Sequence, residues 1–192
     1  MTLMQIILLG ASGFFAFKIY EHMQGLKDPQ ESEEASEPQQ EKVNIDTLVQ
    51  EADKAYDAGH LLEARELLQK AHNAERNIPE LSNRLGFVLS AMGNHSEALK
   101  LYNHSLSLTE DDVTHLAIAS QFKALNRLDE AQEHYKRAIE LDPEYEVSYF
   151  NYANLLVDMD RIAEAKMMYE KALELEPSLE AAKEELEKLN AR

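Results

Sequence analysis

Small apolar residues recur along the chain from residue 52 onward, with a period of 33 or 34 residues. One repeated position is an alanine, at Ala64, Ala98, Ala131 and Ala165. A leucine or tyrosine follows each alanine four residues later and an alanine or serine follows seven residues later, which is the spacing of one helix face. Twelve residues before each alanine stands another small residue, at Ala52, Gly86, Ala119 and Ala153. The pattern predicts four units of two helices, whose small residues let the helix axes approach closely.

Residues that tolerate a left-handed backbone stand between the two predicted helices of each unit. They occupy the same offset and are Gly59, Gly93, Asn126 and Asp160. Such residues commonly end helices. Pro143 and Pro177 follow the third and fourth units and prevent the preceding helix from continuing. Pro79 is predicted to lie in the first turn of the helix that opens unit two.

Four units with this period resemble the tetratricopeptide repeat family. The fourth unit matches best, because the positions that mark the family hold Tyr149, Tyr152, Ala153, Leu156, Ala165, Tyr169, Ala172 and Pro177. The first unit is the most divergent, since Leu68 replaces the tyrosine and Glu51 occupies a usually apolar position. The resemblance implies an all-α fold: a right-handed superhelical stack of four helix pairs at residues 44–77, 78–111, 112–145 and 146–179.

One more helix is predicted after the fourth unit, over residues 178–192. Leu179, Ala182, Leu186 and Leu189 lie on one helical stripe, and Ser178 is placed to cap the N-terminus of the helix. We expect this capping helix to cover the face of the fourth unit that no further repeat covers.

Ahead of the repeats, an apolar segment is followed by an acidic one. Residues 3–17 carry no charge, so we expect a single transmembrane helix over residues 1–22. A cleaved signal peptide is the alternative, which the lack of a basic residue before the apolar segment disfavours. Residues 23–43 are rich in Glu, Gln, Ser and Pro and are predicted to form a disordered acidic linker. Lys18 and Lys27 follow the apolar segment, and the positive-inside rule then places the repeats of this single-pass membrane protein in the cytoplasm.

Charge and composition narrow the classes of function. The formal net charge of −17 disfavours binding to nucleic acid, whose backbone attracts clustered Lys and Arg. The chain has no cysteine, which excludes disulfides and thiolate metal sites. None of the seven histidines stands in a metal-binding spacing, and no nucleophile elbow or phosphate-binding loop is present. We therefore expect no enzymatic activity, no cofactor and no metal.

In proteins of the tetratricopeptide repeat family, the first helix of each unit lines a concave groove that holds an extended peptide or a helix. The family positions correspond here to Asn83 and Phe87 in unit two, Leu116, Ser120 and Lys123 in unit three, and Phe150 and Asn154 in unit four. Asn154 matches one position of a clamp that some members use for a C-terminal carboxylate, but Val49 stands where that clamp has its key lysine. We therefore expect an apolar peptide held by side-chain amides. The alternative is that some of the aromatic side chains are buried between units.

The anchor, linker and repeat stack together favour a membrane-tethered scaffold or adaptor that binds a peptide or helix of a partner protein in its groove. Two other functions stay open: a structural or assembly subunit of a membrane complex, and an extracytoplasmic chaperone-like protein. Repeat stacks of this kind form both monomers and dimers, so a homodimer is a further alternative.

Overall fold

The computed structural model describes residues 44–191. Within that range the chain forms nine α-helices and no β-strand: α1 (Ile45–Asp57), α2 (Leu61–Ala74), α3 (Pro79–Ala91), α4 (His95–Leu108), α5 (Asp112–Ala124), α6 (Leu128–Leu141), α7 (Glu146–Asp158), α8 (Ile162–Leu175) and α9 (Glu180–Asn190). No helix in this range is long and apolar enough to cross a membrane. The transmembrane helix expected over residues 1–22 and the linker expected over residues 23–43 lie outside the described residues.

The helices pack in chain order as four pairs, α1 with α2, α3 with α4, α5 with α6 and α7 with α8. Each pair also packs on the next, through α2 and α3, α4 and α5, and α6 and α7, while α9 lies against α8. A chain in which each unit contacts mainly its neighbours is a helical repeat stack. The all-helical architecture predicted from the period is thereby confirmed.

The two helices of each pair are joined by a turn that holds one residue in the left-handed conformation. These residues are Gly59 (φ 78°), Gly93 (φ 78°), Asn126 (φ 57°) and Asp160 (φ 58°). The N–H of the following residue donates to the carbonyl five residues earlier, as from His60 to Ala55 at 2.8 Å. This bond satisfies a carbonyl that the ending helix leaves without a partner. The predicted helix ends are confirmed in all four units.

Prolines stand at helix boundaries, as the sequence predicts. Pro79 is the first residue of α3. Asp142 and Glu176 cap the C-termini of α6 and α8, and each of them directly precedes a proline. Because proline lacks the backbone N–H that the next helical hydrogen bond needs, neither helix continues past these residues.

Small residues let the two helices of a pair approach closely. The alanines of the repeated position, Ala64, Ala98, Ala131 and Ala165, are completely buried. At Gly86 in α3, a Cβ atom would lie only 2.9 Å from Cε1 of Tyr102 in α4. Since the Tyr102 ring is itself buried, the contact between α3 and α4 requires a glycine at this position.

The buried apolar side chains form two clusters. The N-terminal core joins units one and two with the start of unit three, and its largest members are Leu68, Leu85, Val88, Leu89, Leu99, Tyr102 and Ile118. The C-terminal core joins units three and four with α9, and its largest members are Leu116, Tyr135, Tyr152, Leu155, Leu156, Tyr169 and Leu189. Phe122 in α5 packs against both clusters, so unit three connects the two cores.

The start of α9 differs from the prediction. The helix begins at Glu180 and not at Ser178. The hydroxyl of Ser178 donates to Oε1 of Glu176 at 2.5 Å, and the Ser178 N–H donates to the same oxygen at 2.9 Å. The N-cap residue of α9 is Leu179, so Ser178 lies one residue too early to cap the helix. Ala182 and Leu189 are buried in the C-terminal core, so the predicted apolar stripe does face the stack.

Candidate functional site

A groove crosses the first helices of units one to three. It encloses about 720 Å³ and is formed by side chains of α1, α3 and the start of α5, together with the buried Leu68 and Tyr102. We name it the N-terminal groove and define it by Asp53, Tyr56, Pro79, Glu80, Asn83, Arg84, Phe87, Asp111, Val113, Thr114 and Ala117.

The centre of the N-terminal groove is apolar and exposed. The Phe87 side chain in α3 is 54% exposed, and the ring centroids of Phe87 and Tyr56 lie 5.1 Å apart. Val113 in α5 is 58% exposed. Two large apolar side chains left open to water in one groove are the kind of surface that marks a binding site. The backing of Phe87 by Tyr56 fixes the position of the aromatic face.

Arg84 joins two carboxylates at the edge of the groove. Its Nη1 lies 2.7 Å from Oδ1 and 3.0 Å from Oδ2 of Asp53 in α1. Its Nε lies 2.6 Å from Oε1 of Glu80, one helical turn earlier in α3. Both carboxylates are exposed, and pairs of this kind typically contribute only about 0–1 kcal/mol to stability. The main effect of the two ion pairs is to hold the guanidinium and both carboxylates in fixed positions.

Asn83, Thr114 and Asp111 form a chain of hydrogen bonds in the wall of the groove. Asn83 Nδ2 donates to Thr114 Oγ1 at 2.8 Å, and Thr114 Oγ1 donates to Asp111 Oδ2 at 2.6 Å. The Thr114 N–H donates to Asp111 Oδ1 at 2.8 Å, which caps the N-terminus of α5. Oδ1 of Asn83 is buried and has no hydrogen-bond partner among residues 44–191. Asn83 therefore links unit two to unit three with one of its amide hydrogens.

A second, smaller pocket lies between units three and four. It encloses about 450 Å³ and we name it the C-terminal pocket; its lining includes Ser120, Lys123, Tyr135, Asn151 and Asp158. Nζ of Lys123 lies 3.0 Å from Oδ2 of Asp158, which ties α5 to α7. The Ser120 hydroxyl donates to the Leu116 carbonyl at 3.0 Å. Lys123, Asp158 and Ser120 thus already have partners within the fold.

Asn154 and Phe150 in α7 both contact a buried tyrosine of α8. The hydroxyl of Tyr169 donates to Oδ1 of Asn154 at 2.6 Å. The ring centroids of Phe150 and Tyr169 lie 5.8 Å apart. Burial raises the pKa of Tyr169 to about 12, so its hydroxyl stays protonated and remains a donor at neutral pH. The amide oxygen of Asn154 is therefore used inside unit four.

The structure distributes the residues that the sequence proposes as one groove over four environments. Asn83 and Phe87 lie in the N-terminal groove, and Ser120 and Lys123 line the C-terminal pocket. Phe150 and Asn154 are half-buried against Tyr169. Leu116, which the sequence places in the groove, is only 7% exposed and belongs to the C-terminal core.

Several residues of the N-terminal groove are missing from the sequence-based candidates. They are Glu80, Arg84, Asp111, Val113 and Thr114. Two of the contacts that they make join residues 31 positions apart, Asp53 with Arg84 and Asn83 with Thr114. Arg84 and Thr114 could therefore have been identified in the sequence as complementary polar partners of residues 31 positions earlier, slightly less than one repeat.

The chemistry of the N-terminal groove is that of a binding surface, an exposed aromatic ring with carboxylates around it. Among residues 44–191, no group of three or more histidine, aspartate or glutamate side chains is placed to hold a metal ion.

The chain is similar to one curated protein and to several solved structures. Among curated proteins, anaphase-promoting complex subunit 7 of Dictyostelium discoideum is 29% identical over 93 residues, which are 48% of this chain and 16% of that protein. The chain thus matches less than one fifth of that relative's length. Among solved structures, MamA of Desulfovibrio magneticus RS-1 has a TM-score of 0.69 at 16% identity, covering 79% of this chain and 85% of MamA.

A further solved structure is YrrB, described as a TPR protein with an unusual peptide-binding site. Its TM-score is 0.60 at 17% identity, and the match covers 75% of each chain. At these identities the two structural likenesses show the fold alone.

Family models agree with the repeat read from the sequence. Two models described as tetratricopeptide repeat match residues 77–144 and residues 123–189. Together they span residues 77–189, which is more than half of the chain. With four helix pairs, four left-handed turns at one offset and buried small residues at the repeated positions, the chain belongs to the tetratricopeptide repeat family.

Proposed function

We propose that the protein is a membrane-tethered scaffold that binds a peptide or helix of a partner protein in the N-terminal groove. The observation that carries the proposal is the exposed Phe87 ring at the centre of this groove. Tetratricopeptide repeat proteins mediate interactions between proteins, and YrrB is described as having an unusual peptide-binding site. Aromatic side chains in a central pocket are the residues that most often dominate binding energy.

The packing around Phe87 supports binding without a large rearrangement. Tyr56 backs the ring on one side, and the contact of Arg84 with Asp53 joins α1 to α3 beside it. A surface that is already held in place loses little conformational entropy when a ligand arrives. Covering the exposed half of the Phe87 side chain contributes about 1 kcal/mol, taking roughly half of the value for complete burial.

The N-terminal part of the proposal rests on the sequence. The uncharged residues 3–17 favour an uncleaved membrane anchor, and Lys18 and Lys27 behind it favour repeats on the cytoplasmic side. The acidic, Pro- and Ser-containing composition of residues 23–43 favours a linker between this anchor and the repeats.

A photocrosslinking experiment in intact membranes tests the proposal. The full chain carries p-benzoylphenylalanine either at Phe87 or, as the control, at Met167, which is 60% exposed in α8 and lies outside the groove. We expect one dominant adduct with another protein from position 87 and none of the same mass from position 167. A second variant with Val113→Glu should lose the adduct, because the charge enters the apolar centre.

Equal adducts from both positions, or an adduct from position 167 alone, would show that the groove is not the binding surface. The relative in Dictyostelium discoideum is named as a subunit of a complex, which supports a structural or assembly subunit as the second candidate function. The two candidates differ when the captured partner is removed from the cell. A scaffold keeps its normal abundance, whereas an obligate subunit is depleted because its apolar surface is left uncovered.

A further inference from the structure

We infer that the N-terminal groove selects a segment of a partner protein in which Lys or Arg stands beside a bulky apolar side chain. This inference rests on the proposed function and names the chemistry of the ligand. Three observations support it. The groove is lined mainly by acidic residues, its single cation Arg84 is already paired with carboxylates, and residues 23–43 are acidic.

The charged residues of the groove are mainly acidic. Its lining contains three carboxylates, Asp53, Glu80 and Asp111, and one guanidinium, Arg84. The lining therefore carries a net charge of about −2 at neutral pH, since carboxylates and guanidinium are both ionised there. The field around such a groove attracts cations and repels anions.

Arg84 is not free to receive an anionic ligand. Its Nη1 is within 3.0 Å of both carboxylate oxygens of Asp53, and its Nε is 2.6 Å from Glu80. The cluster of these three residues has one negative charge in excess. A C-terminal carboxylate or an acidic peptide would have to displace a carboxylate that the fold already holds beside the guanidinium, and it would meet the remaining negative charge.

The apolar and acidic parts of the groove lie next to each other. Phe87 follows Arg84 by three residues and Glu80 by seven in α3, so the three side chains share one helix face. On the other wall, Val113 follows Asp111 by two residues. A ligand whose apolar side chain covers Phe87 therefore brings its neighbouring residues against carboxylates. Lys and Arg suit this arrangement, because their aliphatic stems cover apolar surface while the charged group reaches the rim.

The chain's own linker does not match this chemistry. Residues 23–43 contain six acidic and two basic residues. Placing this acidic segment in an acidic groove would set like charges against each other. Self-occupancy by the linker, or by the linker of a second copy, is thus disfavoured, and a basic segment of another protein is the occupant that the charges fit.

Selection of short peptides tests the inference. The full chain, in an uncharged detergent, is immobilised and used to select from a random peptide phage library, with counter-selection on the Phe87→Ala variant. Because Phe87 is exposed, this variant should stay folded, which circular dichroism can verify. We expect the selected peptides to be enriched in Lys or Arg within a few positions of an aromatic or large aliphatic residue.

A synthetic copy of a selected peptide is then compared with its analogue in which Gln replaces each Lys and Arg. Binding of the basic peptide should weaken as salt rises from about 0.01 M to about 0.15 M, where the Debye length falls from about 30 Å to about 8 Å. The Glu80→Gln variant should bind it roughly fivefold more weakly, the upper range for one exposed ion pair. The matched control is Glu174→Gln, which removes an equally exposed carboxylate paired with Lys171 outside the groove and should leave binding unchanged.

The outcomes separate this inference from the proposed function. If the Gln analogue binds as well as the basic peptide, or if acidic peptides are selected, the inference is wrong while binding that depends on Phe87 still supports the proposed function. If Phe87→Ala binds the selected peptides as well as the natural chain does, or if no peptide is selected at all, both fail. Tight binding only of a peptide copied from residues 23–43 would identify the chain's own linker as the occupant and would also overturn the inference.

Discussion

On the surface made by the first helices of the repeats, unit two leaves an aromatic side chain exposed, whereas polar side chains of units three and four lie against tyrosines of the following helix. Three equivalent positions show the difference, Phe87 in unit two, Ser120 in unit three and Asn154 in unit four. Asn154 accepts a hydrogen bond from the Tyr169 hydroxyl at 2.6 Å, and Ser120 Oγ lies 3.4 Å from the hydroxyl of Tyr135. Both tyrosines lie 15 residues after the position in question.

In unit two the residue 15 positions after Phe87 is again a tyrosine, Tyr102. Phe87 has no polar atom to offer this hydroxyl, and its ring stays more than half exposed. The same position in the repeat therefore supports the fold in unit four and offers an apolar contact in unit two. A position in the repeat therefore fixes only where a side chain leaves the backbone. The neighbouring residues decide whether that side chain stabilises the fold or contributes to binding.

The largest expected effect is on stability and comes from Tyr169→Ala. The side chain is completely buried and carries the hydrogen bond to Asn154. Its loss leaves a cavity and an amide oxygen without its donor, so the free energy of unfolding should fall by about 3–5 kcal/mol. Urea unfolding followed by circular dichroism measures the change.

Two controls sharpen this prediction. Met167→Ala removes an exposed side chain from the same helix and should change the free energy of unfolding by no more than about 0.5 kcal/mol. Phe87→Ala should cost less than about 1 kcal/mol, since most of the ring is already in water. A loss at Phe87 as large as that at Tyr169 would break the comparison, because it would make Phe87 a core residue.

Features of the fold that depend on neighbouring residues in sequence could be predicted. The left-handed turns at Gly59, Gly93, Asn126 and Asp160 follow from the backbone preferences of single residues. The buried alanines follow from helical spacing within one unit. Each of these features occurs in all four units, so an ambiguous pattern in one unit can be interpreted from the same pattern in the other three.

The groove could be predicted only in part, because its shape depends on contacts between units. Leu116 occupies a groove position by alignment with the family, yet the packing of unit four on unit three buries it. The pairing of Arg84 with Asp53 and of Lys123 with Asp158 joins different units. The start of α9 differs from the prediction for a local reason, since Ser178 bonds to Glu176 two residues earlier and Leu179 takes the N-cap position.

A smaller effect, shared by both halves, is expected from pH. Burial lowers the pKa of His72 in α2, and the nearby His104 and Arg76 lower it further. Burial and the nearby His115 lower the pKa of His134 in α6. The unfolded chain takes up these protons near pH 6.5, while the folded chain does so only at lower pH. Between these values the unfolded state binds more protons, so the free energy of unfolding should fall as the pH is lowered below about 6.5.

Histidine variants assign the pH effect to each half. Nδ1 of His134 lies 2.9 Å from Nδ1 of His115, so one neutral ring donates to the other, and protonation of both rings removes the acceptor. His134→Gln and His72→Gln should each reduce the slope of stability against pH in urea unfolding. A slope that is unchanged in both variants would show that other groups cause the acid sensitivity. A reduction in only one variant would assign it to that half.

The smallest effect is expected from Lys123→Gln in the C-terminal pocket. Lys123 and Asp158 are partly exposed, at 32% and 46%, and a pair in such surroundings contributes about 0–1 kcal/mol. In a double-mutant cycle with Asp158→Asn, the coupling free energy should therefore stay below about 1 kcal/mol and decrease with added salt. This result would leave the buried contacts of Tyr169 as the main difference from unit two, because removing the ion pair leaves those contacts intact. A coupling above about 2 kcal/mol that resists salt would mean that charge holds units three and four together, and the contrast with the groove around Phe87 would then be one of ion pairing rather than of packing.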